Sequence, residues 1–130
     1  MLINEEYNQY IELVSKLPFE IKEQEQKLMA LNRKIDAIEK SKKELELVTY
    51  AIVTNEKEES GTKKYTNDKQ REAEVNARLK LNPEYKLKEE EENEAITKIN
   101  ETKTELEFLR NQFKSIQTIV EILKIKINLR

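Results

Sequence analysis

Between residues 63 and 88 the chain carries eight bases, Lys63, Lys64, Lys69, Arg71, Arg78, Lys80, Lys86 and Lys88, against the acids Asp68, Glu72, Glu74 and Glu84. Ammonium and guanidinium groups at that density bind phosphates by releasing counterions. Tyr65, beside Lys63 and Lys64, offers a ring on which a base can stack. If the chain folds back on itself, Lys42 and Lys43 come near Arg78 and Lys80. The candidate nucleic-acid set is then Lys42, Lys43, Lys63, Lys64, Tyr65, Lys69, Arg71, Arg78 and Lys80. The same charges also suit plain solvation of a mixed-charge helix face. The whole chain has a net charge of −2, so the case for nucleic acid rests on this local clustering.

Other chemistry is excluded more sharply. No cysteine and no histidine occur, which removes disulfides, thiolate nucleophiles, imidazole bases and the commonest zinc ligands. Ser15, Ser41, Ser60 and Ser115 have no base of the usual type to activate them, so no catalytic residue is assigned and the chain is read as a non-enzyme. Glu89, Glu90, Glu91, Glu92 and Glu94 form the densest acidic run. No second acidic motif or liganding loop accompanies it, so it reads as a solvated or lysine-paired face, with no metal and no cofactor.

These residues must be held by helices. The chain has 130 residues, of which 38% are charged and 37% hydrophobic, with one glycine and two prolines. That ratio supplies a narrow helical seam rather than a thick core, and the breakers that punctuate sheets are scarce. A heptad seam runs through Ile3, Tyr7, Tyr10, Val14, Leu17, Ile21, Gln24, Leu28, Leu31, Ile35, Ile38, Lys42, Leu45, Thr49 and Ile52. Pro18 does not shift its phase, which predicts either one helix kinked there or two collinear helices with Ser15 as a cap. Lys42 and Thr49 are polar seam positions of the kind that weaken a coiled coil but fix its register, and Lys42 is expected to reach Glu74.

Apolar periodicity stops at Asn55 to Thr66, where the single glycine, Gly61, lies. Thr66 or Asn67 is placed to cap the next helix, with Gln70 in the capping-box position. Asn82 before Pro83 ends that helix and starts another. A second register then carries Tyr85, Glu92, Ile99, Leu106, Phe113, Val120 and Ile127 in one row, with Lys88, Ala95, Thr102, Leu109, Ile116 and Leu123 in the other. Val75 and Leu79 fall outside its phase, so the register slips near Pro83. Five acid-before-base pairs at four-residue spacing, such as Glu23 with Lys27 and Glu84 with Lys88, support the exposed faces.

The expected fold is all-α: one helical domain over 1–130, built as a long antiparallel coiled-coil hairpin. Its parts are a first arm over 1–54, a tip loop over 55–66, a short helix over 67–82 and a second arm over 83–130, with kinks or breaks at Pro18 and Pro83. Each arm would span roughly 70 Å at 1.5 Å per residue. The final stretch has more aliphatic residues than one seam hides, which predicts a homo-oligomer. Its interface would use Ile3, Tyr7, Tyr10, Ile116, Ile119, Val120, Leu123 and Ile127. The same end, with Lys124, Lys126 and Arg130, lacks tryptophan and a clean basic face and so reads as packing rather than as a membrane-surface helix. With no basic leader followed by an apolar run, and no charge-free stretch of the ~20 residues a membrane span needs, a cytoplasmic protein is expected.

Three segments bear on family: Ile38-Glu39-Lys40-Ser41-Lys42-Lys43, Lys64-Tyr65-Thr66-Asn67-Asp68-Lys69-Gln70-Arg71, and Phe108-Leu109-Arg110-Asn111-Gln112-Phe113-Lys114. With a long amphipathic arm, a lysine-rich turn and an aliphatic last helix, the chain resembles phage accessory proteins of DNA recombination, the UvsY-type mediators. The likeness is architectural and rests on no diagnostic motif. It implies an oligomer that binds single-stranded DNA, or a recombinase or annealing protein already on it. Prefoldin-like chaperones also pair two long helices but join them through β-hairpins, and 55–66 has no alternating β-branched run. The alternative function is a protein-binding adaptor or inhibitor, for example a phage counter-defence factor, that acts through helix faces without nucleic acid.

Overall fold

The computed structural model describes residues 2–129, so Arg130 lies outside the described residues. The chain is all-helical: α1 is Leu2–Asn55, α2 is Asp68–Leu81 and α3 is Pro83–Asn128. By contacts the chain divides into two compact units, Met1–Leu31 with Lys98–Arg130, and Asn32–Thr97. In both, α1 runs antiparallel to the returning chain, the helical-hairpin arrangement that the seam pattern predicts.

The unit formed by the start of α1 and most of α3 is held by Leu17, Leu109 and Ile116, with Tyr10, Val14, Ile21, Phe113 and Val120 packed around them. Pro18 sits inside α1 without ending it. Its missing N–H and its ring cost an interior helix roughly 3 kcal/mol. Pro18 itself is solvent-exposed, however, while Leu17 is buried and Val14 and Ile21 are half-buried, so packing on the seam side holds the helix together across the proline. Ser15 is not a cap. Its hydroxyl donates to the Ile11 carbonyl one turn earlier at 2.9 Å, a bond available only within a continuing helix. Thr102 is the buried polar residue here, and donation to the Lys98 carbonyl at 2.7 Å satisfies its hydroxyl.

The other unit closes on Val53, Val75 and Leu79, with Leu45, Tyr65 and Tyr85 packed against them. The heptad reading fails here at one residue. Ile52 is 56% exposed and Val53 fully buried, so the buried row steps 45, 49, 53. A helix with 3.6 residues per turn drifts against a strict seven-residue repeat, and a four-residue step restores the phase. Thr49 stays half-buried, with its hydroxyl turned back to the Leu45 carbonyl at 2.8 Å.

Capping fixes the remaining ends. Asn67 accepts from the Gln70 amide at 2.8 Å, while the Gln70 side chain reaches the Thr66 amide at 3.1 Å, one residue earlier than a standard capping box. Asn82 has extended backbone, and its side chain accepts from the amides of Glu84 and Tyr85 at 2.9 and 3.2 Å, starting α3 at Pro83. Between α1 and α2, an isolated antiparallel bridge joins Lys57 and Lys63. The Gly61 amide donates to the Glu58 carbonyl with Gly61 at φ 85°, the positive φ that glycine adopts without a Cβ clash. This two-residue ladder is stabilised by its turn and needs no run of β-branched residues.

Candidate interaction surfaces

The basic cluster is partly neutralised within the unit that contains it. Arg78 donates to Glu74 at 2.8 Å and also pairs with Glu56, bridging α2 to the residue that directly follows α1. Arg71 pairs with Asp68 at 2.6 Å, and Lys64 lies 3.8 Å from Glu56 and 5.7 Å from the centre of the Tyr65 ring. The hydrogen bond from Arg78 is the chief reason that Glu74 titrates below its ordinary value of 4.5, with burial opposing it. The Arg78 guanidinium is in turn held more firmly protonated by Glu74 and then Glu56. Tyr65 packs against the Val53, Val75 and Leu79 core and so is not a free stacking platform.

Lys42 takes a different partner from the one its sequence position suggests. It reaches Glu92 of α3 at 3.4 Å and lies 5.2 Å above the Tyr85 ring, not beside Glu74. The acid facing Arg78 is Glu56, so Lys42 and Lys43 do not extend the Arg78 cluster. Tyr85 completes this layer by donating its hydroxyl to Glu46 at 2.9 Å. Burial first, and then that bond and the charges of Glu46, Glu89 and Glu92, push the Tyr85 phenol up to about 12. Of the nine residues picked for nucleic acid, Lys42, Lys64, Arg71 and Arg78 are ion-paired. Lys43, Lys63, Lys69 and Lys80 are exposed and have no acid within ion-pair distance among the described residues.

The acidic run divides in a similar way. Glu92 holds Lys42, Glu91 lies 3.8 Å from Lys88, and Glu89, Glu90 and Glu94 are exposed. Among the described residues no group of three such side chains is placed to hold a metal ion. None of the five four-residue acid-before-base pairs is closed among the described residues, and Lys88 meets Glu91 rather than Glu84.

The proposed oligomer interface also needs correction. Ile116 and Leu123 are 5% and 7% exposed, buried in this chain's own seam, and therefore have little surface left to offer a partner. Ile3, Tyr7, Tyr10, Ile119, Val120 and Ile127 are half-buried. The aliphatic surplus at this end instead emerges as Ile122, Ile125 and Leu129. Elsewhere in that unit an open groove is floored by Leu28, Met29 and Leu106 and rimmed by Glu25 and Arg110, which lie 3.8 Å apart.

The surface most clearly missed by the seam pattern lies at the end of α1. No charged residue occurs from Leu47 to Asn55, and the segment is apolar on both sides. Val53 turns into the core while Leu47, Val48 and Ile52 are 61%, 58% and 56% exposed, on the opposite face. With Ala51 they form an outward stripe at one- and four-residue spacing. The signal was present in the sequence: a helical segment apolar all round has a second face to cover, whereas a heptad count records only one.

No family model, no curated protein and no solved structure matches this chain. No helix among the described residues is long and apolar enough to cross a membrane.

Proposed function

We propose that this chain is a non-enzymatic protein-binding adaptor or inhibitor that receives an apolar helix or peptide of its partner on the outward face of α1. The observation that carries the reading is the charge-free stripe of Leu47, Val48, Ala51 and Ile52, solvent-exposed and continuous on one side of a long helix. Helix-in-groove and helix-on-helix recognition use such i, i+4 anchors. Apolar surface of this kind is favourable to cover at about 25 cal/mol per Å². The test is partner capture with Val48→Glu plus Ile52→Glu. Both positions point away from the core, so helical circular dichroism should stay intact while capture is lost. Unchanged capture sinks the proposal.

A second reading keeps the recombination-mediator role, supported by the exposed Lys43, Lys63, Lys69 and Lys80, which have no ion-pair partner among the described residues. It requires single-stranded DNA binding that weakens steeply with salt and weakens again when Lys63 and Lys69 become Glu. Absence of binding at low salt removes it and leaves the adaptor reading untouched.

A further inference from the structure

The contacts that hold α2 are few: one apolar patch and one ion-pair bridge. It has 14 residues, of which Val75 and Leu79 are the buried ones. Isolated helices of about that length are marginal in water, so α2 depends on its contacts for its helical state. Those contacts are a small patch against Val53, Leu45, Tyr65 and, from α3, Tyr85, and the Arg78 bridge to Glu56. Both ends of α2 are break points. The Gly61-containing loop precedes it, and at the other end Asn82 leaves helical geometry before Pro83. Immediately beyond that break, α3 has its own hold on α1 through Tyr85 to Glu46 and Lys42 to Glu92.

We propose that α2 is a detachable strap, hinged at Asn82–Pro83, that lifts from α1 while α1 and α3 stay paired through the Lys42, Glu46, Tyr85 and Glu92 layer. Lifting uncovers Val53 and Leu45, so that the end of α1 is apolar on both faces at once: Leu47, Val48 and Ile52 on one, Leu45 and Val53 on the other. The hinge is placed by chemistry, not by length. Proline cannot donate the helical hydrogen bond, and it biases Asn82 away from helical backbone, so motion concentrates there instead of spreading along a continuous helix. The ion pairs are partly exposed, with the Arg78 and Glu56 side chains 32% and 33% accessible, and salt screens such pairs. The strap is therefore sensitive to ionic strength in a way that an apolar latch is not. This inference concerns the free chain and stands whether or not the outward stripe takes a partner.

Hydrogen exchange on the intact protein, read by mass spectrometry, tests it. The α2 amides from Arg71 to Leu79 should exchange at least roughly tenfold faster than those of Ala95 to Thr102 in α3, as a separate opening unit would. Raising the salt should widen that gap. Arg78→Met should speed α2 exchange by a further factor of roughly ten and Leu79→Ala by roughly thirty, the latter matching a loss of about 2 kcal/mol, and each should speed the Ala95 to Thr102 amides less than those of α2. If α2 and α3 exchange at one common rate in the unmodified chain, or if both variants accelerate the two helices alike, α2 is an integral part of the hairpin and the proposal fails.

Discussion

The two units solve the same problem, pairing α1 with the returning chain, by different means. Leu17, Leu109 and Ile116 and their neighbours make an apolar seam in one. Of the seven ion pairs among the described residues, this unit contains only Glu25 with Arg110, at 3.8 Å and about half exposed on both sides. The unit spanning Asn32–Thr97 contains the other six, and its polar layer of Lys42, Glu92, Tyr85 and Glu46 crosses the helix pair where an apolar residue would normally sit. Aliphatic seams stabilise but tolerate slippage, because one leucine pairs as well with the next turn as with its own. Charged and hydrogen-bonded layers stabilise little after desolvation and select one alignment. On these grounds the first unit is expected to supply more of the stability and the second more of the register.

The largest effect that should separate them is truncation of the core. Leu17→Ala removes a side chain that is 3% exposed from the longer apolar cluster and is expected to cost about 3 to 4 kcal/mol in urea unfolding followed by circular dichroism. Leu79→Ala removes one that is 5% exposed from the smaller cluster, where a short helix can settle into the space. A loss of about 2 kcal/mol is expected, near the low end for such changes. Equal losses would mean that both clusters carry the fold alike and would dissolve the division of labour.

A smaller effect sharpens it. Lys42 and Glu92 are 18% and 19% exposed, and Glu92→Leu alone strands a partly buried ammonium group, at a cost of about 1 to 2 kcal/mol. Lys42→Leu together with Glu92→Leu should restore or slightly exceed the original stability, because the seam then becomes apolar there. The cost appears as lost alignment: a lower denaturant m-value and broadened amide resonances over Asn32–Thr97. If the double variant keeps sharp resonances and an unchanged m-value, Lys42 and Glu92 do not set the register.

Much of this was legible in the residue pattern, and the gaps have a common cause. The apolar rows of α3, Ile99 and Leu106 with Ala95, Leu109, Ile116 and Leu123, are buried where periodicity places them, because a narrow seam has a single solution for long aliphatic runs. The caps at Asn67 and Asn82 were legible too, since capping is a local hydrogen bond between residues two or three apart. The pairing of charges was not. Whether Lys42 meets Glu74 or Glu92, and whether Arg78 stands free or is held by Glu56, depends on axial alignment across dozens of residues, and heptads repeat every seven without marking their origin. For the same reason the basic stretch looked available for phosphate. Its excess of charge is real in sequence and is partly cancelled by Glu56, an acid contributed from the loop just after α1.

The finest test of the comparison is titration, because Glu74, Arg78 and Tyr85, whose protonation the fold shifts, all lie in the polar unit. Glu74 has a folded pKa below its ordinary 4.5, chiefly through the Arg78 hydrogen bond, so the unfolded state binds the proton more readily. Its contribution is present above that ordinary value and is lost as pH falls through the lowered one. Tyr85 behaves in the opposite sense. Its phenol is raised from 10.0 to about 12, so the stability tied to the neutral hydroxyl is complete below 10 and disappears between 10 and about 12. Melting curves across both windows should therefore show small losses on the acid and the alkaline side. Arg78→Met should flatten the acid limb, and Tyr85→Phe should flatten the alkaline one while removing a late-ionising phenol from the tyrosinate absorbance. Glu46→Gln provides the control for cause: with burial the larger contribution, the phenol should move only part of the way back toward 10. A full return would make the Glu46 bond and its charge, not the packing around Tyr85, the source of the shift.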